Sequence, residues 1–128
     1  MVQQITQGIK ISVKARYEGA FIKSDVLLHA FSYYIFIENQ SKDTVQLISR
    51  FWKIKDSLNN KKEVKGDGVI GQKPILLSGE IHTYTSGCVL CSTMGAMKGH
   101  YKLVNFRTGK KIKVPIPLFN LSAPFSMN

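Results

Sequence analysis

The sequence predicts an all-β domain, a sandwich or barrel of about seven strands. Three observations carry this expectation. Apolar residues recur at every second position in several segments. Turn signals built from glycine, asparagine and proline fall roughly every eight to twelve residues. No segment keeps helical periodicity for more than two turns.

The first clear strand has Ile9, Ile11, Val13, Ala15 and Tyr17 alternating with Lys10, Ser12, Lys14 and Arg16. Such alternation gives one buried and one wet face. Residues Asp25 to Ala30 allow one short turn of helix at most. Phe31 to Ile37 is aromatic and β-branched on both faces, which predicts a central strand covered on each side. Val45 to Asp56 reads as a long strand with Trp52 and Ile54 on one face. Asn59-Asn60 supplies a turn, and Lys61 to Lys65 returns as a hairpin partner. Strands follow at Glu80 to Tyr84, Val89 to Ser92 and His100 to Phe106, with a tight turn at Thr108-Gly109. In the last strand Ile112, Val114, Ile116 and Leu118 alternate with Lys111, Lys113, Pro115 and Pro117. Prolines two residues apart remove N–H donors from one side of a strand, so this strand must be an edge or carry a bulge.

A chain of 128 residues with 44% hydrophobic content fits one domain spanning 1–128, able to build a core without metals or disulfides. The N-terminus lacks a basic region followed by an apolar run, and no stretch approaches the ~20 apolar residues of a membrane helix. A cytoplasmic protein with no membrane partner and reduced cysteines is therefore expected. The net charge is +10. All eight acids lie at or before Glu80, and beyond it come only bases: Lys98, Lys102, Arg107, Lys110, Lys111 and Lys113. Such a one-sided field attracts polyanions, nucleic acid among them, or simply maintains solubility. No arginine-rich or aromatic-interleaved nucleic-acid motif accompanies it in the sequence.

Gly66-Asp67-Gly68-Val69-Ile70-Gly71 matches G-x-G-x-x-G. The dinucleotide version needs a helix after the glycines, and Pro74 follows instead. Two readings remain open. The glycines supply positive φ and close packing in an irregular loop. Alternatively, successive N–H groups form an anion-binding nest flanked by Lys65 and Lys73. The candidate anion- or partner-binding set is thus Lys65, Gly66, Gly68, Gly71 and Lys73. Cys88-Val89-Leu90-Cys91 matches C-x-x-C, but in an extended strand residues i and i+3 face opposite sides, which predicts buried or half-buried free thiols. His82 and His100 match no zinc-finger spacing with these cysteines. No nucleophile–base pair or carboxylate pair is assembled, so neither an enzyme nor a cofactor is expected. Trp52 and the run Phe31, Tyr33, Tyr34, Phe36 read as core.

Taken in order, the motifs form a pattern. Arg50-Phe51-Trp52-Lys53-Ile54-Lys55-Asp56 leads into Glu63 to Pro74 with its glycines. Gly79-Glu80, Tyr84-Thr85-Ser86-Gly87 and Leu90 follow, then Gly95-Ala96-Met97-Lys98-Gly99-His100-Tyr101 and Val114-Pro115-Ile116-Pro117-Leu118-Phe119-Asn120-Leu121. This set resembles the ApaG family over nearly the whole chain. The resemblance implies an immunoglobulin-like or fibronectin type III-like antiparallel β-sandwich. It also implies a stand-alone bacterial protein with no established catalytic activity. The same domain in F-box proteins and a polymerase-delta-interacting protein is regarded as a protein-interaction module. For the glycine loop the resemblance suggests phosphate binding, and for some members a link to cobalt and magnesium tolerance. Two departures stand out: Phe51 where members carry histidine, and Ser92-Thr93 where they carry Thr-Pro.

The expectation that emerges is a non-enzymatic binding module with a protein partner and a binding surface that includes the Gly66–Pro74 loop. The alternative is a phosphate, pyrophosphate or nucleotide ligand at the same loop.

Overall fold

The computed structural model describes residues 1–58 and 61–124. Among these, nine strands run in order: β1 (Val2–Thr6), β2 (Ile9–Lys23), β3 (Val26–Asn39), β4 (Val45–Asp56), β5 (Lys61–Asp67), β6 (Ile75–Leu76), β7 (Ile81–Leu90), β8 (Met94–Asn105) and β9 (Lys111–Ser122). They form two antiparallel sheets. One has the order β1-β2-β3-β7, the other β5-β4-β8-β9, with β6 paired to the start of β4. The fold is an antiparallel β-sandwich. Among the described residues no helix is long and apolar enough to cross a membrane.

The alternation along β2 works as its sequence dictates. Ile9, Ile11 and Val13 are buried, and Ala15 and Tyr17 pack against the same core. Facing them across the sandwich are Leu47 and Trp52 of β4, Tyr101 and Leu103 of β8, and Val114 and Ile116 of β9. Trp52 is 3% exposed and meets Tyr33, Tyr101 and Phe119 at ring separations of 5.3, 6.4 and 5.9 Å. Those partners come from both sheets, so one aromatic cluster joins the two layers.

Three bulges set which side chains face inward. At Leu47/Ser49 β4 carries one residue more than β8, so the inward positions change from Val45 and Leu47 to Trp52 and Ile54. In β9 the register slips opposite Met97/Gly99, and the inward set changes from Ile112, Val114 and Ile116 to Phe119 and Leu121. The residues that take up this slip are Pro117 and Leu118. The paired prolines therefore stand both at a sheet edge and beside a bulge, as their missing donors require. The third bulge lies between Tyr17 and Gly19 in β2.

Several expectations change. Asp25 to Ala30 holds no helical turn. Ser24 and Asp25 have φ of 51° and 63° and close a two-residue hairpin, and Val26 onward pairs with β2. Strand β3 is central in its sheet but covered on one face only: Phe31, Tyr33, Ile35 and Ile37 are buried, while Tyr34 and Phe36 are half-exposed. Its outer aromatics fit a pleated, half-buried surface rather than a second core. The two short strands expected between Glu80 and Ser92 are one strand, because the ladder to β3 continues through Gly87 opposite Ser32. β1, whose polar glutamines hide its period, was not expected. The turn at Asn59-Asn60 lies outside the described residues, while the hairpin it was to join is present as the β4–β5 pair.

One buried polar residue organises the loops at one end of the sandwich. Asn39 is fully buried; its Nδ2 donates to the carbonyls of Asp43 (2.8 Å) and Leu76 (2.9 Å). Its Oδ1 accepts from the N–H (3.0 Å) and hydroxyl (2.6 Å) of Ser41. Replacing Asn39 by alanine leaves a buried carbonyl unpaired, with an expected loss of about 1–3 kcal/mol. Denaturant unfolding should show a lower midpoint at unchanged slope.

Candidate functional site

The two sheets close against each other on one side, where β1 and β2 meet β9, and part on the other, where the edges are β7 and β5. On the open side lies a cleft of about 580 Å³. Its floor is apolar, made by Phe31, Tyr33, Trp52, Ile54 and Val64. Arg50 stands at one end of it, Asp56 at the other, and the exposed Lys62 on the rim.

Each polar group here has a local physical reason. Arg50 follows the β4 bulge and so points to the same face as Trp52. Its Nη1 donates to the carbonyls of Asp67 (2.9 Å) and Gly68 (2.8 Å). Gly66 sits opposite it, and a Cβ there would lie 2.7 Å from the guanidinium; only glycine lets the cation cross this position. Burial opposes ionisation of Asp56. Hydrogen bonds from the Ser92 hydroxyl and from the N–H groups of Leu58, Cys91 and Ser92 outweigh it, and the carboxyl titrates below its ordinary 3.8. Ser92, one of the two departures noted above, thus braces the far end of the cleft. The phenols of Tyr84 and Tyr101 hydrogen-bond to each other, and burial holds both protonated.

The glycine loop is built around a tight hairpin. Ile70 and Gly71, with φ of 48° and 72°, form its corner, and Val69 and Gln72 exchange both backbone hydrogen bonds at 2.8 and 3.0 Å. The Gly68 N–H donates to the carbonyl of Ile48, the extra residue of the β4 bulge, at 2.7 Å. A Cβ on Gly68 would stand 2.1 Å from the carbonyl oxygen of Gln72. The N–H groups of Gly68, Val69 and Gln72 are therefore used within the protein. Of the candidate set, Lys65 and Gly66 border a shallow basin on the outer face of the β5-β4-β8-β9 sheet, while Gly68 is buried and Gly71 and Lys73 are exposed beyond it. A bulky side chain at Gly68 would disrupt the loop itself.

That outer face carries residues the sequence reading had not brought together. Phe51 points outward and its ring lies 5.1 Å from that of His100, tilted by 30°. The ammonium groups of Lys65 and Lys53 lie 5.6 and 5.9 Å from the Phe51 centroid. Partial burial, then the charges of Lys113, Lys102 and Lys53, hold the His100 pKa below its ordinary 6.5. A signal was available: once β4 and β8 pair, residues 51 and 53 fall opposite 100 and 98.

The cysteines part company. Cys88 faces the cleft, half-buried, with its thiol pushed up to about 11, chiefly by burial. Cys91 is exposed, against expectation, because β7 ends at Leu90 and the chain turns outward. His82 belongs to one sheet and His100 to the other. Among the described residues no three His, Cys, Asp or Glu side chains are grouped to hold a metal ion.

The ApaG domain family model (DUF525) matches residues 23–105. The chain belongs to the ApaG family. It is 39% identical over 125 residues to Protein ApaG of Methylocella silvestris, covering 98% of this chain and 95% of that protein. To Protein ApaG of Brucella canis it is 35% identical over 124 residues, covering 97% and 95%. Among solved structures, the putative ApaA protein of Bordetella pertussis superposes with a TM-score of 0.81 at 37% identity, covering 91% of this chain and 94% of that one. A structural-genomics X-ray structure superposes with a TM-score of 0.87 at 32% identity, covering 91% and 88%. These similarities extend over both sheets, so this ApaG-family chain shares its sandwich with relatives of nearly the same length.

Two predictions follow from the cleft. Asp56 has a folded pKa below its unfolded one, so its stabilisation is full above the unfolded value and is lost as pH falls through the folded value. Asp56→Asn should cost about 1–3 kcal/mol at neutral pH, and the gap between variant and parent should narrow in acid. Urea melts across the acid limb check this. A thiol reagent at mildly alkaline pH should modify Cys91 first, with Cys88 slower by at least about tenfold, as mass spectrometry of the labelled peptides would record.

Proposed function

We propose that this chain is a non-enzymatic binding domain that receives an extended, acidic segment of a partner protein alongside β7. The observation that carries this reading is the free edge of β7. Ten residues, Ile81–Leu90, pair with β3 on one side, and no strand among the described residues pairs with the other. Alternate N–H and C=O groups of an edge strand point away from its neighbour and are available to an added strand.

The other edges are defended and this one is not. β5 carries Lys61, Lys62, Glu63, Lys65 and Asp67; β9 carries Pro115, Pro117 and two lysines; β1 has five residues. β7 has no proline and no acidic, lysine or arginine side chain. A strand added to β7 would project alternate side chains into the cleft, onto Phe31, Tyr33, Ile54 and Val64. Arg50 and Lys62 favour carboxylates among those side chains. The net charge of +10 favours an acidic segment over a second copy of this chain.

The groups lining the cleft support binding over chemistry: burial holds the Cys88 thiol and the Tyr33 phenol protonated, and the Asp56 carboxylate accepts hydrogen bonds from the adjacent loop.

The test uses an octapeptide, Thr-Val-Thr-Glu-Thr-Val-Thr-Glu, and a control with lysine for glutamate. The acidic peptide should shift the amide resonances of Ile81–Leu90 and slow their hydrogen exchange. Lys62→Glu should weaken binding by about fivefold or more. Equal binding of both peptides, or shifts that leave β7 untouched, would overturn the reading.

A further inference from the structure

We propose that the outer face of the β5-β4-β8-β9 sheet is a binding surface for single-stranded nucleic acid, with the Phe51–His100 ring pair as a platform for a base and the lysines around it as phosphate contacts. This face lies on the opposite side of β4 from the cleft, and the inference does not depend on the peptide reading.

The strand register lays the face out in rows. Lys65, Phe51, His100 and Pro115 fall side by side across four strands. Two residues along β4 on one side, Lys53 pairs with Lys98. Two residues on the other side, Ser49 pairs with Lys102, which pairs with Lys113. Two half-exposed rings thus lie between two rows of exposed lysines, which places the rows about 13 Å apart at the rise of an extended strand. A basin of about 640 Å³ borders the rings toward Lys65 and Lys102, and one of about 340 Å³ borders them toward β9, reached by Lys53, Lys98 and Lys113. The acids of this face, Glu63 and Asp67, stand on β5; Asp67 lines the rim of the larger basin, where the lysines outnumber it.

The combination selects the ligand class. Lysines alone would suit any polyanion. Adjacent, half-exposed rings among them add a contact that a planar group uses best, and every base has a π-face. A duplex hides those faces, and a sheet this broad offers no helix to a major groove. Arg107 takes no part: it is committed to Asp43, with Nε donating to Oδ1 at 2.8 Å. The positive charge that remains on this face comes from lysines, which bind phosphate as point charges.

The experiment is an anisotropy titration of the intact chain with labelled oligothymidylate and oligouridylate about twelve nucleotides long, alongside inorganic polyphosphate of matched charge. At low ionic strength at least one oligonucleotide should bind, with an affinity that falls linearly on logarithmic salt axes. Phe51→Leu should weaken oligonucleotide binding about tenfold while polyphosphate changes less than about twofold; Phe51→Tyr should restore it. Lys98→Glu combined with Lys113→Glu should weaken both ligands, and resonances of β7 should not move. Absence of binding by both oligonucleotides overturns the proposal. So does equal loss of oligonucleotide and polyphosphate in Phe51→Leu with the fold intact, which would mark an undirected polyanion surface.

Discussion

Strand β4 has neighbours on both sides in its sheet, and its residues alternate between the interior and the outer face. One extra residue, Ile48, sets that alternation. Before it, Val45 and Leu47 point inward. After it, the inward positions are Arg50, Trp52, Ile54 and Asp56, and the outward ones are Ser49, Phe51, Lys53 and Lys55. Because the side-chain period of a strand is two, removing the insertion would exchange these sets. Trp52 would leave the aromatic cluster that joins the sheets, and Lys53 would enter it. The cost of burying a lysine without a partner makes that register inaccessible.

The same bulge couples the core to the glycine loop. The carbonyl of Ile48 accepts the Gly68 N–H, Arg50 reaches across Gly66 to two carbonyls of the loop, and Gly68 packs on the carbonyl of Gln72. The glycine motif is accordingly a device for seating a loop against a bulged strand. Its spacing answers to a close approach, a cation and a left-handed corner at three successive points. A nucleotide-binding motif asks glycine for similar things, which explains why the letters coincide although the helix that would receive a phosphate is absent here.

Much of the sandwich was legible because burial and period two agree. The β2 alternation, the long β4, the hairpin with β5 and the edge position of β9 follow from side-chain parity and from the donors that proline lacks. The bulges were not read from parity: the alternation expected to run on through Leu118 breaks there, Leu118 is exposed, and the inward set passes to Phe119 and Leu121, as it passes from Leu47 to Trp52 in β4. The turn at Ser24-Asp25 was less legible, since two non-glycine residues there adopt positive φ under the pull of the β2–β3 ladder. The candidate surfaces were legible only in part. Lys65 and Gly66 were singled out for a loop and belong to a face. Phe51, His100 and Lys98 were each visible, but their adjacency depends on a pairing between segments some fifty residues apart. The undefended edge of β7 was hidden for the same reason, because being last in a sheet is a property of topology.

The alternation of β4 also explains how a chain of this size can present two unlike surfaces. The interior face, where the sheets part, offers an apolar floor with cations at one end and on the rim. The outer face offers rings among lysines. The two lie on opposite sides of one sheet, so a ligand on one does not sterically exclude a ligand on the other. Electrostatics still links them. A polyanion on the outer face would neutralise charge that draws an acidic segment toward the cleft, and binding free energies are reciprocal, so each ligand would weaken the other. The coupling should be modest and should fade with salt, because the charges on the outer face are solvent-exposed and screened within about 10 Å at moderate ionic strength. A strong, salt-insensitive coupling would instead require a change in the β4 register, which the burial of Trp52 forbids.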